Sequence, residues 1–235
     1  MSQSFSLVDL LAVADLQTYL SRGARVEEGS VRLIAGSGVL AVYTAILYPR
    51  GLMDETPTVL GLRTFATGAD VEFDVVVPIR SLLDRVARVR ENAEAAESEG
   101  AGSEGAAEPI EIRLPLEVST VTWAGISPPR GGWQKVGETS SALLQSTAKT
   151  GVAEVAEAIP TGTGEQLVQR VRAEVWGRPI DDLEYIPAGA AFAADSLGFV
   201  GDDDTVTIYE TGPWTRLTTR RGHTLVRRQA WTLRR

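Results

Sequence analysis

An α+β fold is predicted for this 235-residue chain, with a largely antiparallel sheet and two helices in its N-terminal part, then a helical region closed by a C-terminal three-strand meander. Three patterns predict it. β-Branched and aromatic runs broken by short turns fill residues 30–77, apolar residues recur at helical spacing over 7–20, 79–89, 142–159 and 163–176, and three short β-prone runs end the chain.

Ser6 and Asp9 have the spacing of a capping box. Leu7, Leu10, Leu11, Ala14, Thr18 and the pair Tyr19/Leu20 then recur at helical intervals up to Gly23, which predicts a first helix with Leu10 and Leu11 buried. Residues 31–34, a Gly36-Ser37-Gly38 turn and residues 39–48 read as a hairpin that breaks at Pro49-Arg50-Gly51. Residues 59–65 and 71–77, joined at Gly68, add two strands, and such short connections predict a four-stranded antiparallel sheet. Pro78, the pair Ser81/Asp84 and the stripe Ile79, Leu82, Leu83, Val86, Val89 predict a second helix.

Beyond Val89 the apolar stripe stops. AEAAESEGAGSEGAAEP offers nothing larger than Glu to bury, so a flexible acidic linker is expected at about 94–108. Alternation resumes at Ile110, Ile112, Leu114, Leu116, Val118 and Val121, in one or two strands able to return to the first sheet. The reading is therefore a single integrated domain over 1–235. The alternative is a split into 1–93 and 109–235.

Residues 142–159 form the next helical pattern, in which Gly151 marks a close helix contact or a break. Thr163 and Gln166 have capping-box spacing and open a helix to Trp176 with Leu167, Val168, Val171 and Val175 on its apolar face. Pro187 starts a short Ala-rich helix that Gly198 ends. Residues 205–209, 214–219 and 224–228, separated by Gly212-Pro213 and Arg221-Gly222, give the closing meander.

Composition excludes several chemistries. With no cysteine there are no disulfides, zinc–thiolate sites, iron–sulfur clusters or thiol nucleophiles, and a single histidine excludes histidine-pair metal sites and two-histidine relays within one chain. No cofactor is expected. No apolar stretch reaches the roughly 18 residues of a membrane span, and the first twenty residues carry Asp9 and Asp15 without a basic leader, so a cytoplasmic protein with no membrane contact is expected. Net charge is −8, but residues 91–108 hold six Glu and no base, while 211–235 hold seven Arg and no acid. The body of the protein repels nucleic acid; only its C-terminal end does not.

The segment WAGISPPRGGWQ stands out. Paired prolines fix the backbone and paired glycines permit close approach. Between them Arg130 presents an anion-matching fork, and Trp123 and Trp133 flank the loop. Trp123, Arg130 and Trp133 are the candidate residues for binding a ligand or partner; the bland reading is a turn with core tryptophans. Asp202-Asp203-Asp204 lacks the alternate spacing of a calcium loop and reads as a turn. Gly162-Thr163-Gly164 lacks a Walker lysine and reads as a cap. His223, beside Gly222, is expected to be an exposed turn residue, and no G-x-S-x-G elbow supplies it with a nucleophile. The C-terminal arginines Arg216, Arg220, Arg221, Arg227 and Arg228 spread over both faces of a hairpin, which disfavours a nucleic-acid surface.

By subtraction, the leading expectation is a non-catalytic binding protein whose partner is a protein or a small molecule. The alternative is an enzyme using carboxylates with Arg130 as substrate anchor.

Overall fold

The computed structural model describes residues 3–51, 53–98, 109–118, 121–160 and 162–227. It is α+β, and the chain forms two compact units, Met1–Thr44 with Arg63–Val121, and Ala45–Leu62 with Thr122–Arg235.

In the first unit the chain opens with strand β1 (Ser4–Leu7), whose alternation buries Phe5 and Leu7. Ser6 therefore lies in a strand instead of capping a helix. Asp9 is the N-cap of α1 (Leu10–Val26), its carboxylate accepting from the Ala12 amide at 2.7 Å. That start sets the helix phase: Val13, Leu16, Leu20 and Ala24 are buried, and Leu11, expected in the core, falls on the opposite side and is 80% exposed.

Strands β2 (Ser30–Gly36) and β3 (Val39–Leu47) form the expected hairpin. Its tip places both Ser37 (φ 53°) and Gly38 (φ 74°) in the left-handed region, whose twist suits a two-residue hairpin. Strand β4 (Thr58–Ala66) follows, but β5 (Phe73–Pro78) pairs with β2 and not with β4, so the order in this unit is β5-β2-β3-β4. The connection at Gly68 crosses the hairpin tip, where the Thr67 amide bonds the Gly38 carbonyl at 3.0 Å. Val31 opposite Val77 and Leu33 opposite Val75 are buried pairs, and Arg32 grips Asp74 through two bonds of 2.7 Å. Those pairs reward the non-local register.

Helix α2 (Ile79–Ser98) buries Ile79, Leu82 and Val86. It extends through Glu94, so the start of the expected linker is helical; the rest of that stretch, 99–108, lies outside the described residues. Strand β6 (Ile110–Arg113) pairs antiparallel with β1 as a separate two-stranded sheet and does not join the larger one.

The second unit begins with a 3₁₀ turn (Thr122–Gly125) and β7 (Gln134–Ser140). Ser140 ends that strand and caps α3 (Ser141–Ala158), its hydroxyl oxygen accepting from the Leu143 amide at 3.1 Å. Helix α4 (Glu165–Gly177) is capped by Gly164 without a side-chain bond; the Thr163 hydroxyl donates instead to the Pro160 carbonyl at 2.6 Å. After the short pair β8 (Pro179–Ile180) and β9 (Leu183–Pro187) comes α5 (Ala188–Ser196), which ends at Gly198 with φ 71°. Trp176 organises these helices. A Cβ at Gly151 would come within 2.2 Å of its ring, so the glycine marks a close helix contact, and Phe192 stacks on Trp176 with centroids 4.4 Å apart.

The meander β10 (Thr205–Thr211), β11 (Trp214–Thr218) and β12 (His223–Arg227) closes the unit as predicted, and the strand order here is β4-β12-β11-β10-β7, antiparallel throughout. Val206, Ile208, Leu217 and Val226 are buried on one face of these strands. Among the described residues no helix is long and apolar enough to cross a membrane.

Candidate functional site

Directly opposed residues in antiparallel strands share a face of the sheet. Register therefore places Lys135 of β7, Tyr209 of β10, Arg216 of β11, Leu225 of β12 and Leu60 of β4 in one row. The bulge between Ile208 and Tyr209 adjusts where the β10 side chains aim relative to β7. Leu225 and Leu60 are buried, so the row passes from an apolar end to a charged edge, with Arg216 at its middle.

The loop preceding β7 reaches this row. Trp123, in the 3₁₀ turn, is buried at 6% exposure. Gly132 adopts φ 78°, a conformation that favours glycine, and a Cβ there would press on the Thr211 hydroxyl at 3.3 Å. The indole N–H of Trp133 donates to the Pro129 carbonyl at 3.1 Å, which fixes the ring against its own loop. Held so, Trp133 packs on Arg216, whose guanidinium carbon lies 4.5 Å from the Trp133 centroid and 4.8 Å from that of Tyr209.

Of the three residues singled out in the sequence, then, Trp123 is buried, Trp133 is half-buried and Arg130 is exposed. The arginine stacked on Trp133 is Arg216. The sequence groups it with the C-terminal arginines and does not connect it to the loop, because only strand register brings the two together.

The electrostatics of Arg216 are unusual. Its Nε is buried and has no hydrogen-bond partner among the described residues, and burial draws its pKa below the ordinary arginine value. A buried donor left unpaired costs about 1–3 kcal/mol. Each aromatic contact to a desolvated cation returns about 0.5–2 kcal/mol, so two rings suffice to hold the charge there.

His223 answers to the same charge. Expected in an exposed turn, it is the first residue of β12 and half-buried, with Nδ1 3.2 Å from the Thr218 hydroxyl. Burial first, and the Arg216 charge second, push its pKa down to about 4. It is neutral at neutral pH. Lys135 is matched by Glu138 at 2.5 Å, a bond that raises the lysine pKa.

The other candidates resolve as structure. The Asp204 carboxylate accepts from the Gly201 amide at 3.1 Å and from Arg220 at 2.9 Å, in a turn where Asp203 has φ 53°. Among the described residues no group of three His, Asp or Glu side chains is placed to hold a metal ion. Of the C-terminal arginines, Arg216 is stacked on rings and Arg220 is paired with Asp204, while Arg228 lies outside the described residues.

Comparison with known proteins adds a likeness of fold. Residues 1–104 match a family described as a domain of unknown function (DUF8010), and residues 128–231 match another (DUF8185). No curated protein matches. A sliding clamp, DNA polymerase III subunit beta, from Bartonella birtlesii bound to griselimycin superposes with TM-score 0.50 at 13% identity, over 98% of this chain and 66% of that one. The DNA polymerase sliding clamps of Caulobacter crescentus (TM-score 0.49, 12% identity, 99% and 67% coverage) and Bacillus subtilis (0.48, 9%, 100% and 67%) are similar at the same level. The chain spans about two thirds of the length of these clamps.

Proposed function

We propose that the chain is a non-catalytic, cytoplasmic binding protein that contacts a protein partner through the loop from Trp123 to Trp133 and the Arg216 row beneath it. The observation that carries this reading is the Trp133–Arg216–Tyr209 stack: a half-buried cation held by two rings, with no acid paired to it among the described residues, beneath a loop that also exposes Arg130. Tryptophan, tyrosine and arginine are the residue types that carry most binding energy at protein interfaces. In this reading Trp123 anchors the loop, Trp133 and Arg216 supply the pre-organised centre, and Arg130 supplies a rim charge that aids association. A likeness of fold to a polymerase subunit supports a component of an assembly over a free-standing catalyst.

The test is capture from native lysate on immobilised wild-type protein, Arg130→Ala and Trp133→Ala, with native mass spectrometry of the purified chain alongside. A protein retained by the wild type and lost on Trp133→Ala, at an unchanged melting temperature, is the expected outcome. A co-purifying metabolite with no captured protein would move the assignment to an enzyme anchored by arginine.

A further inference from the structure

We propose that Arg216 anchors a carboxylate-binding site, and that the partner presents an acidic side chain next to an apolar one. This deepens the interaction reading above and rests on it. Both rings lie over the guanidinium, Trp133 at 4.5 Å and Tyr209 at 4.8 Å, and its buried Nε has no hydrogen-bond partner among the described residues. With Nε buried, the fork that the side chain can present to a ligand is that of its two terminal nitrogens. That fork matches the two oxygens of a carboxylate.

Charge counting favours a monoanion over a phosphate. On this face Lys135 is already matched by Glu138 at 2.5 Å. His223 lies one row from Arg216, opposite Thr218, and is neutral. Arg227 lies one row away in the other direction, opposite Trp214. Among these cations Arg216 is the one in contact with the two rings, whereas a phosphate group brings a charge of about −1.5 to −2. The apolar half of the ligand follows from Trp133. Its indole N–H is already given to Pro129 at 3.1 Å, so the half-buried ring offers a neighbour only carbon surface.

The experiment is a titration of the ¹⁵N-labelled full-length chain, following the Trp133 indole and Arg216 Nε–H signals. The probes are 3-phenylpropionate and the blocked peptide acetyl-Phe-Glu-amide, with 3-phenylpropanol and phenyl phosphate as comparators. Both carboxylates are expected to shift the two signals saturably while the alcohol does not. Arg216→Lys, which keeps the charge but loses the fork, is expected to weaken binding about tenfold or more, and Arg216→Met to abolish it. Tighter binding of the peptide identifies an acidic side chain of a partner; tighter binding of the free acid identifies a small carboxylate. Absence of a saturable shift overturns the proposal, as does affinity unchanged in Arg216→Met or phenyl phosphate binding about tenfold tighter than either acid. Should the Met variant fail to fold, Arg216→Lys decides alone. Capture lost on Trp133→Ala without carboxylate binding would sink this inference and leave the interaction reading standing. Carboxylate binding with capture indifferent to Trp133→Ala would do the reverse.

Discussion

Arg216 keeps its charge half-buried because two rings replace part of the water it gives up, and that charge adds to the effect of burial on the only histidine of the chain. The folded-state pKa of His223, about 4, lies below the ordinary 6.5, so the unfolded chain binds its proton more tightly. The sign follows: this contribution to stability is complete above about pH 6.5 and is lost as the pH falls towards 4, amounting to about 3 kcal/mol at most. With one histidine, a single imidazole resonance reports the titration in proton NMR. It is expected to titrate near pH 4 in the wild type and higher in Arg216→Met. A midpoint near 6.5 in both would show the imidazole solvated and uncoupled. None of this was legible from sequence, where His223 sat beside Gly222 in what reads as a turn. Among the described residues the left-handed non-glycine positions are Ser37, Asp182 and Asp203, and the Ser-Gly and Asp-run patterns did mark Ser37 and Asp203 as turns.

At the scale of elements, the sequence announced those that bury one face. The β2–β3 hairpin, α2, α3, α5 and the β10–β12 meander all appear where periodicity put them. Strand β7 was missed for a physical reason: it lies at the edge of the sheet, none of its residues is buried, and QKVGETS carries no apolar alternation to read. Strand β1 was missed because its four residues were absorbed into the apparent cap of the next helix. Gly151 was legible as a contact or a break, and Trp176 decides for contact. Gly151→Ala is expected to lower stability by about 1–3 kcal/mol, because the added Cβ meets a tryptophan locked between helices, and a gain in helix propensity of about 1 kcal/mol does not offset it. Thermal denaturation checks this. A rise in melting temperature would mean the ring moves aside at no cost.

Over the whole molecule, the α+β class was legible because it depends on local periods. The strand order was not, because β5 reaches past β3 and β4 to pair with β2, a choice made by buried cross-strand pairs and the Arg32–Asp74 bridge that no local pattern encodes. The same gap separated Trp133 from Arg216: an aromatic next to a nearby arginine drew attention to Arg130, while the partner in space lay on β11, two strands across the sheet from β7. The central claim, that the loop before β7 is where this protein meets a partner, is tested most directly by photocrosslinking. A benzophenone amino acid replaces the half-exposed Ile126 of that loop or, as a control, the 91% exposed Met53. The account predicts one discrete protein adduct from position 126 in native lysate, absent from position 53 and lost on adding Trp133→Ala. Identical, diffuse adducts from both positions would contradict it.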